Sequence, residues 1–313
     1  MPDILTLTMN PALDLWTSTE RVTGTHKLRC SAAQWHPGGG GINVARVLQR
    51  LGSDCLALYL AGGMTGQRLT QLLEAEQVPC QCIDIAGETR ESFSVRERAS
   101  GLDYRFVLPG PTLRPHEWDA CVAYLRALAP APRYLVVSGS LPPGAPPDLH
   151  AQLARLARAT GSRLVVDTSG PALAAALEEG VYLIKPSLRE LRELTGQPLA
   201  QEPQWLAAAQ QIVRDGRAEM VALSLGAQGA VLVSRDATVR AQGLAVPVAS
   251  TIGAGDSFLG GLLWALSRAM PLEQALRQAM AAGAAALLGP GTALCQAADV
   301  ARLRDAVRLT RLA

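Results

Sequence analysis

Apolar residues along this chain fall into short dense runs, separated by longer stretches in which they recur every three or four positions. The first pattern predicts strands buried on both faces, and the second predicts helices with one apolar side. Residues 4–8, 55–60, 134–138, 163–167, 182–184, 220–224 and 230–233 show the first. Ile42, Ala45, Leu48 and Leu51 show the second. Further helices are predicted from Gly63 to about Glu76, over 147–160 and 172–177, and from about Leu188, Asp256 and Leu272. Gly52 reads as a helix stop, and His36–Gly41 as a turn. Alternating strands and helices predict an α/β fold with a mainly parallel central sheet covered on both faces.

Two regions depart from this pattern. Residues 12–36, with an extended stretch at 29–35, alternate apolar and polar side chains. Residues 91–98 and 104–107 do so more loosely, across a turn at Ser100-Gly101. Such strands are covered on one face only. They predict a small β-sheet lid, built from about 12–36 and 88–108, standing off a single domain of residues 1–313. No long linker, repeat or low-complexity tract interrupts the chain.

Composition narrows the partners. Hydrophobic residues make up 49% and charged residues 18%, which excludes a disordered or coiled-coil protein. The formal charge of +2 and 4% aromatic content supply neither a global basic field nor stacking platforms, so no nucleic-acid partner is expected. The longest apolar stretches fall short of the ~18 residues of a membrane span, and no membrane partner is expected. The opening residues show no basic leader, which predicts a cytoplasmic protein with reduced thiols. The six cysteines then read mostly as core residues, and the four histidines form no ligand array. Only two lysines occur, Lys27 and Lys185, against 27 arginines. Arginine replaces lysine easily on a surface but poorly where a compact ammonium is needed, so both lysines are candidates for a site.

The strongest chemical signal is Thr251-Ile252-Gly253-Ala254-Gly255-Asp256-Ser257. Glycines opening an apolar helix leave backbone N–H groups that can cradle an anion. Asp256 reads either as a helix-capping residue or as a base beside that cradle, accepting a hydroxyl proton during phosphoryl transfer. The second signal is Pro37-Gly38-Gly39-Gly40-Gly41-Ile42-Asn43. It matches neither a dinucleotide fingerprint nor a Walker A loop. It reads as a flexible turn or as a glycine-lined wall for a polyhydroxy ligand, assisted by Asn43.

Together with Leu13-Asp14, KLRC at 27–30, SGSLPPG at 138–144, Val166-Asp167, Lys185-Pro186, SLG-x-x-GA at 224–230 and Gly291-Thr292, these motifs resemble the ribokinase/PfkB family of carbohydrate kinases. The resemblance covers essentially the whole chain. It favours the 6-phosphofructokinase branch, because Gly40 stands where 1-phosphofructokinases and tagatose-6-phosphate kinases typically carry lysine. These two kinases are the nearest alternatives, and a non-catalytic sugar-phosphate sensor is an alternative of another class.

The resemblance implies a ribokinase-like three-layer fold and transfer of the ATP γ-phosphoryl group to the C1 hydroxyl of fructose 6-phosphate. Asp256 would be the base, and the N–H groups of Gly253, Ala254 and Gly255 the anion hole. Asp14, Gly39, Gly40 and Asn43 would hold the sugar. Arg90, with Arg105, Arg29 and Ser140 as weaker candidates, would bind the 6-phosphate, and Lys27 would reach either this phosphate or the nucleotide phosphates; an isolated arginine such as Arg90 otherwise reads as solvated surface. Lys185, Ser224, Gly226, Gly229, Met280 and Gly283 would bind ATP. Glu190 would organise Mg²⁺ through water. Ser187 stands where the family's N-x-x-E motif has asparagine. Ser250, Ile252, Ala286, Gly289, Gly291 and Ala293 would surround K⁺, mostly through carbonyls. Pairing of two lids would make a homodimer.

Overall fold

The computed structural model describes residues 2–312. Met1 and Ala313, the ends of the expected 1–313 domain, lie outside the described residues. In chain order the elements begin with β1 (Ile4–Thr8), β2 (Ala12–Thr19), β3 (Gln34–Gly38), α1 (Gly40–Arg50), β4 (Cys55–Ala61), α2 (Gly63–Ala75) and β5 (Cys80–Asp84). Then come β6 (Arg90–Glu97), β7 (Asp103–Val107), α3 (Pro115–Ala127), β8 (Tyr134–Ser138), α4 (Leu149–Thr160), β9 (Arg163–Asp167), α5 (Gly170–Glu179) and β10 (Val181–Ile184). The chain closes with α6 (Leu188–Thr195), α7 (Glu202–Arg214), β11 (Ala218–Ser224), β12 (Ala230–Ser234), β13 (Thr238–Ala241), α8 (Ala254–Ser267), α9 (Leu272–Ala286), α10 (Ala297–Arg304) and β14 (Leu309–Leu312).

Ten strands form one sheet in the order β14-β13-β12-β11-β10-β9-β8-β1-β4-β5. From β11 through β5 every neighbouring pair is parallel, whereas β12, β13 and β14 continue the edge antiparallel. Alternating side chains divide the core into two layers, as a sheet covered on both faces requires. On β4, Cys55, Ala57, Tyr59 and Ala61 face the core layer that contains α1, α8 and α9, while Leu58 and Leu60 face the layer of α3, α4 and α5. A ribokinase-like three-layer α/β architecture results. No helix of the described residues is long and apolar enough to cross a membrane.

The lid is a second sheet in the order β3-β2-β6-β7. It pairs β2 with β6 in parallel and both hairpin partners antiparallel. The expected strand at 29–35 is corrected here: regular pairing begins only at Gln34, and the segment before it is an exposed loop. The expected turn at His36–Gly41 is also corrected. Gly38 still belongs to β3, Gly39 is a single turning residue, and α1 starts at Gly40. Gly39 adopts φ 116°, a conformation that only glycine enters freely. A side chain at Gly41 would come within 2.5 Å of Thr8 Oγ1, so α1 can pack against β1 only with glycine there. The six cysteines are free thiols: Cys55, Cys121 and Cys295 are buried, Cys80 and Cys82 half-buried on β5, and Cys30 exposed.

Candidate active site

Strand order reverses direction around β1, whose neighbours are β4 and β8. Crevices outside the C-terminal ends of parallel strands at such a point are where ligands bind. A cleft of about 390 Å³ opens there under the lid. Its lid side carries Asp14, Arg90 and Arg105, and its floor carries Gly39, Gly40, Asn43, Ile252, Gly253, Gly255 and Asp256. Ser138, Gly139 and Asp167 complete one wall, and Thr292 closes another.

Asp256 lies in the first turn of α8. The chain enters that helix through Gly253 at φ 75°, and first-turn N–H groups have no carbonyl one turn back to bond. The Ala254 N–H reaches Thr251 O only at 3.5 Å. A group of donors therefore stands beside a carboxylate. Asn43 Nδ2 donates to Asp256 Oδ2 at 2.8 Å. Desolvation and then the charge of Asp167 push the Asp256 carboxyl up to about 6, against the pull of Asn43, Lys185 and Arg105. A base of that strength is ionised at neutral pH yet readily takes a proton. Desolvation likewise pushes Asp14 up to about 6, opposed by Arg105 and Arg90.

Arg90 donates to the carbonyls of Pro11 at 3.4 Å, Asn10 at 3.0 Å and Leu108 at 3.0 Å. These bonds fix the guanidinium at the lid root and leave two of its five N–H groups for a ligand. Arg105 reaches the cleft from β7 and has no ion-pair partner among the described residues. Lys27 and Arg29 are not brought to the cleft of this chain; both stand on the exposed loop between β2 and β3. Ser140 accepts from Asn10 Nδ2 at 3.1 Å and lines a second hollow, of about 420 Å³, with Glu190. Gly139 and Asp167 border both spaces, so the two hollows adjoin.

Lys185 is buried, with Nζ 3.0 Å from Asp167 Oδ1. A side chain on Gly255 would come within 3.4 Å of that ammonium, which therefore lies against the backbone of the donor group. Burial pushes the Lys185 pKa down, but the Asp167 charge and hydrogen bond outweigh it and hold the ammonium protonated. Asp167 accepts a further bond from Ser138 Oγ at 3.2 Å. Asp167 ends the Val166-Asp167 motif, to which the sequence alone assigns no role. Its signal was its place, an ionisable residue closing a buried parallel strand.

Ser187 and Glu190 form a reciprocal capping box on α6. The Ser187 N–H donates to Glu190 Oε2 at 2.8 Å, and the Glu190 N–H donates to Ser187 Oγ at 3.2 Å. The serine in place of asparagine thus has a structural use. Ser224 contacts Pro186 O at 3.4 Å and bridges to Ser187. Gly226 opens a one-turn 3₁₀ helix that ends at Gly229. Met280 is buried in the core, and Gly283 lets α9 approach Phe258 of α8.

No cluster of three or more His, Cys, Asp or Glu suited to a metal exists among the described residues. Glu190 and Asp167 line the second hollow, and Mg²⁺, which keeps its waters, needs only one or two carboxylates plus substrate phosphates. Around the expected cation positions, the Gly289 N–H donates to Ala286 O at 3.4 Å, and Ser250 Oγ accepts from the Ile252 N–H at 3.2 Å. The Ala293 carbonyl already accepts from the Arg50 guanidinium, so it suits a second cation least.

A three-layer α/β fold with a β lid, and a carboxylate beside helix N–H donors opposite arginines, define a sugar kinase of the ribokinase type. The model of the pfkB family of carbohydrate kinases matches residues 8–299, and the chain belongs to that family. It is 47% identical over 301 residues to the ATP-dependent 6-phosphofructokinase isozyme 2 of Mycobacterium tuberculosis (strain CDC 1551 / Oshkosh), covering 96% of this chain and 88% of that one. It is 41% identical over 304 residues to the isozyme 2 of Escherichia coli (strain K12), covering 97% and 98%. The structure is similar to Escherichia coli phosphofructokinase-2 in complex with substrates and products, with a TM-score of 0.94 and 40% identity over 97% of this chain and 98% of that one. The same Escherichia coli protein has been captured with fructose-6-phosphate, with potassium, and as a tetrameric inhibited form.

Proposed function

We propose that this protein is an ATP-dependent 6-phosphofructokinase that transfers the γ-phosphoryl group to the C1 hydroxyl of fructose 6-phosphate. One observation carries the reading: a single cleft is lined both by a carboxylate in the first turn of a helix and by two guanidinium groups carried on the lid. Fructose 6-phosphate has the complementary polarity, a hydroxyl at C1 and a phosphate dianion at C6. Arg90 and Arg105 bind the 6-phosphate, and Asp14 accepts from sugar hydroxyls.

Asp256 takes the C1 hydroxyl proton on Oδ1, the oxygen that does not already accept from Asn43. The hydroxyl oxygen attacks the γ-phosphorus, and the bond from that phosphorus to the bridging oxygen of ADP breaks. The N–H groups of Gly253, Ala254 and Gly255, with Lys185, stabilise the charge on the transferring group. Glu190 and Asp167 border the hollow where Mg²⁺ would be held through water, and the ion would neutralise phosphate charge. Ser224, Gly226 and Gly229 lie on the nucleotide side. The carbonyls around Ser250, Ile252, Ala286, Gly289 and Gly291 would hold K⁺. The exposed lid face, with Phe93 stacked on Phe106 at 4.6 Å, pairs with a second lid in a cytoplasmic homodimer.

A panel of fructose 6-phosphate, tagatose 6-phosphate and fructose 1-phosphate with γ-labelled ATP tests the reading. Fructose 6-phosphate should show the highest kcat/KM. A higher value for either other sugar would move the assignment to that kinase, and sugar binding without label transfer would support a sensor.

A further inference from the structure

We infer that Arg46, which lies behind the cleft, is a positioning residue: it orients the Asn43 amide and thereby fixes the orientation of the Asp256 carboxylate toward the sugar. The inference rests on the kinase reading above.

The Arg46 side chain is wholly buried. It follows Asn43 by three positions on α1, so both side chains lie on one face of the helix. Arg46 Nη1 donates to Asn43 Oδ1 at 3.2 Å, and Asn43 Nδ2 donates onward to Asp256 Oδ2 at 2.8 Å. A guanidinium can only donate, and an ionised carboxylate can only accept. The amide between them therefore has one satisfactory orientation. Turned over, it would set its NH₂ against the guanidinium, where burial keeps water from relieving the clash, and its oxygen against the carboxylate. The favoured orientation occupies Oδ2 and leaves Oδ1 as the oxygen that meets the C1 hydroxyl and keeps its proton.

Arg46 is itself held from the far side. Its Nε and Nη2 donate to Glu76 at 2.9 Å and 2.6 Å, and Glu76 also accepts from Arg50 at 3.1 Å. Nη1 further reaches Pro37 O, at the lid root, at 3.1 Å and Thr292 O at 3.3 Å. The orientation of the base is thus tied to the seating of β3 and of the loop that carries Thr292.

Arg46→Lys retains the charge, but a single ammonium cannot span Glu76 and Asn43 together. We expect it to lower kcat by about tenfold, a coupling in the range of residues that share one network, while the KM values for fructose 6-phosphate and ATP change little. The decisive comparison repeats the substitution in Asn43→Ala, where the guanidinium has no amide to orient. There it should lower kcat by less than about twofold. Arg46→Met alone leaves Glu76 still paired with Arg50 and should reproduce the loss, which keeps the test open if Arg46→Lys does not fold. An equal loss in both backgrounds, or unchanged kcat in a folded variant, overturns the relay while the kinase reading stands. Absence of fructose 6-phosphate turnover by the unaltered protein would instead overturn that reading, and the relay with it.

Discussion

Lys185 Nζ and Asp167 Oδ1 stand 3.0 Å apart, beneath the surface, at the ends of neighbouring parallel strands. The register that pairs Ile184 with Val166 places the two residues side by side, so backbone pairing alone brings the charges together. Each neutralises the other, and the ammonium rests against Gly255. Lys185→Met should leave an uncompensated buried carboxylate and destabilise the fold by about 3–5 kcal/mol. Adding Asp167→Asn should recover most of that stability but not turnover. Thermal melts alongside kcat measure both, and a double variant that regained activity would refute the phosphate role of Lys185.

Asp256→Asn should reduce kcat by about 10²–10⁴, the range of a lost general base. In the unaltered protein kcat should fall as pH drops below about 6, where burial has placed this carboxyl. The stability effect has the opposite sign. A folded pKa raised above the unfolded value means that ionisation opposes folding, fully so above about 6 and less as pH falls toward the unfolded value. Asp256→Asn should therefore stabilise the protein at pH 7.5, by on the order of 1–3 kcal/mol. Denaturant titrations at pH 7.5 and 5 check this, and a stabilisation that grew on acidification would contradict it.

Gly291→Ala should disturb the lid. Gly291 has φ 52°, and a side chain there would come within 2.6–2.8 Å of the Trp16 side chain on β2. The KM for fructose 6-phosphate should rise well before that for ATP, because β2 carries Asp14 into the sugar cleft. Equal changes in both constants would mean that the contact does not govern the lid.

Arg90→Ala removes a charge-assisted phosphate contact and three bonds to lid-root carbonyls. Sugar-phosphate binding should weaken by about 1.5–3 kcal/mol, or roughly ten- to a hundredfold. Nucleotide binding should be nearly unchanged. Calorimetric titration with each ligand distinguishes this from an arginine serving ATP.

Ser187→Ala should cost about 1 kcal/mol through loss of the α6 cap, whereas Ser187→Asn should be nearly neutral because asparagine caps as well. Melting curves test the cap. Initial rates across a free Mg²⁺ titration test whether this position also affects the ion; an unchanged profile in both variants would confine Ser187 to capping.

Periodicity alone placed β1, β8 and β9 at their observed limits, because strands buried on both faces must be apolar throughout. It also located the lid, whose strands cover one face and alternate. It missed β5, α3, α7, α10 and the antiparallel edge of β13 and β14. Of these, β5, β13 and β14 sit at or beside the sheet edges, where mixed polarity weakens the signal, whereas α3 and α7 do bury an apolar stripe in the core. It also extended the strand before Gln34 and read a glycine run as one turn, since glycine tolerates strand, turn and helix alike.

The chemistry divided along a similar line. The helix opening at Gly253 and the acid three residues later were legible as a unit, because backbone donors and base are contiguous in the chain. Asp167 with Lys185, and Arg46 with Asn43 and Asp256, were not, although Asp167, Lys185, Asn43 and Asp256 each stand in a motif. Which of 27 arginines becomes a buried donor, and which lysine meets which aspartate, depends on strand order and on how α1 crosses α8. Local pattern determines what a segment can form. Only packing determines which charges lose their water together, and that loss is what sets their partners and their pKa values.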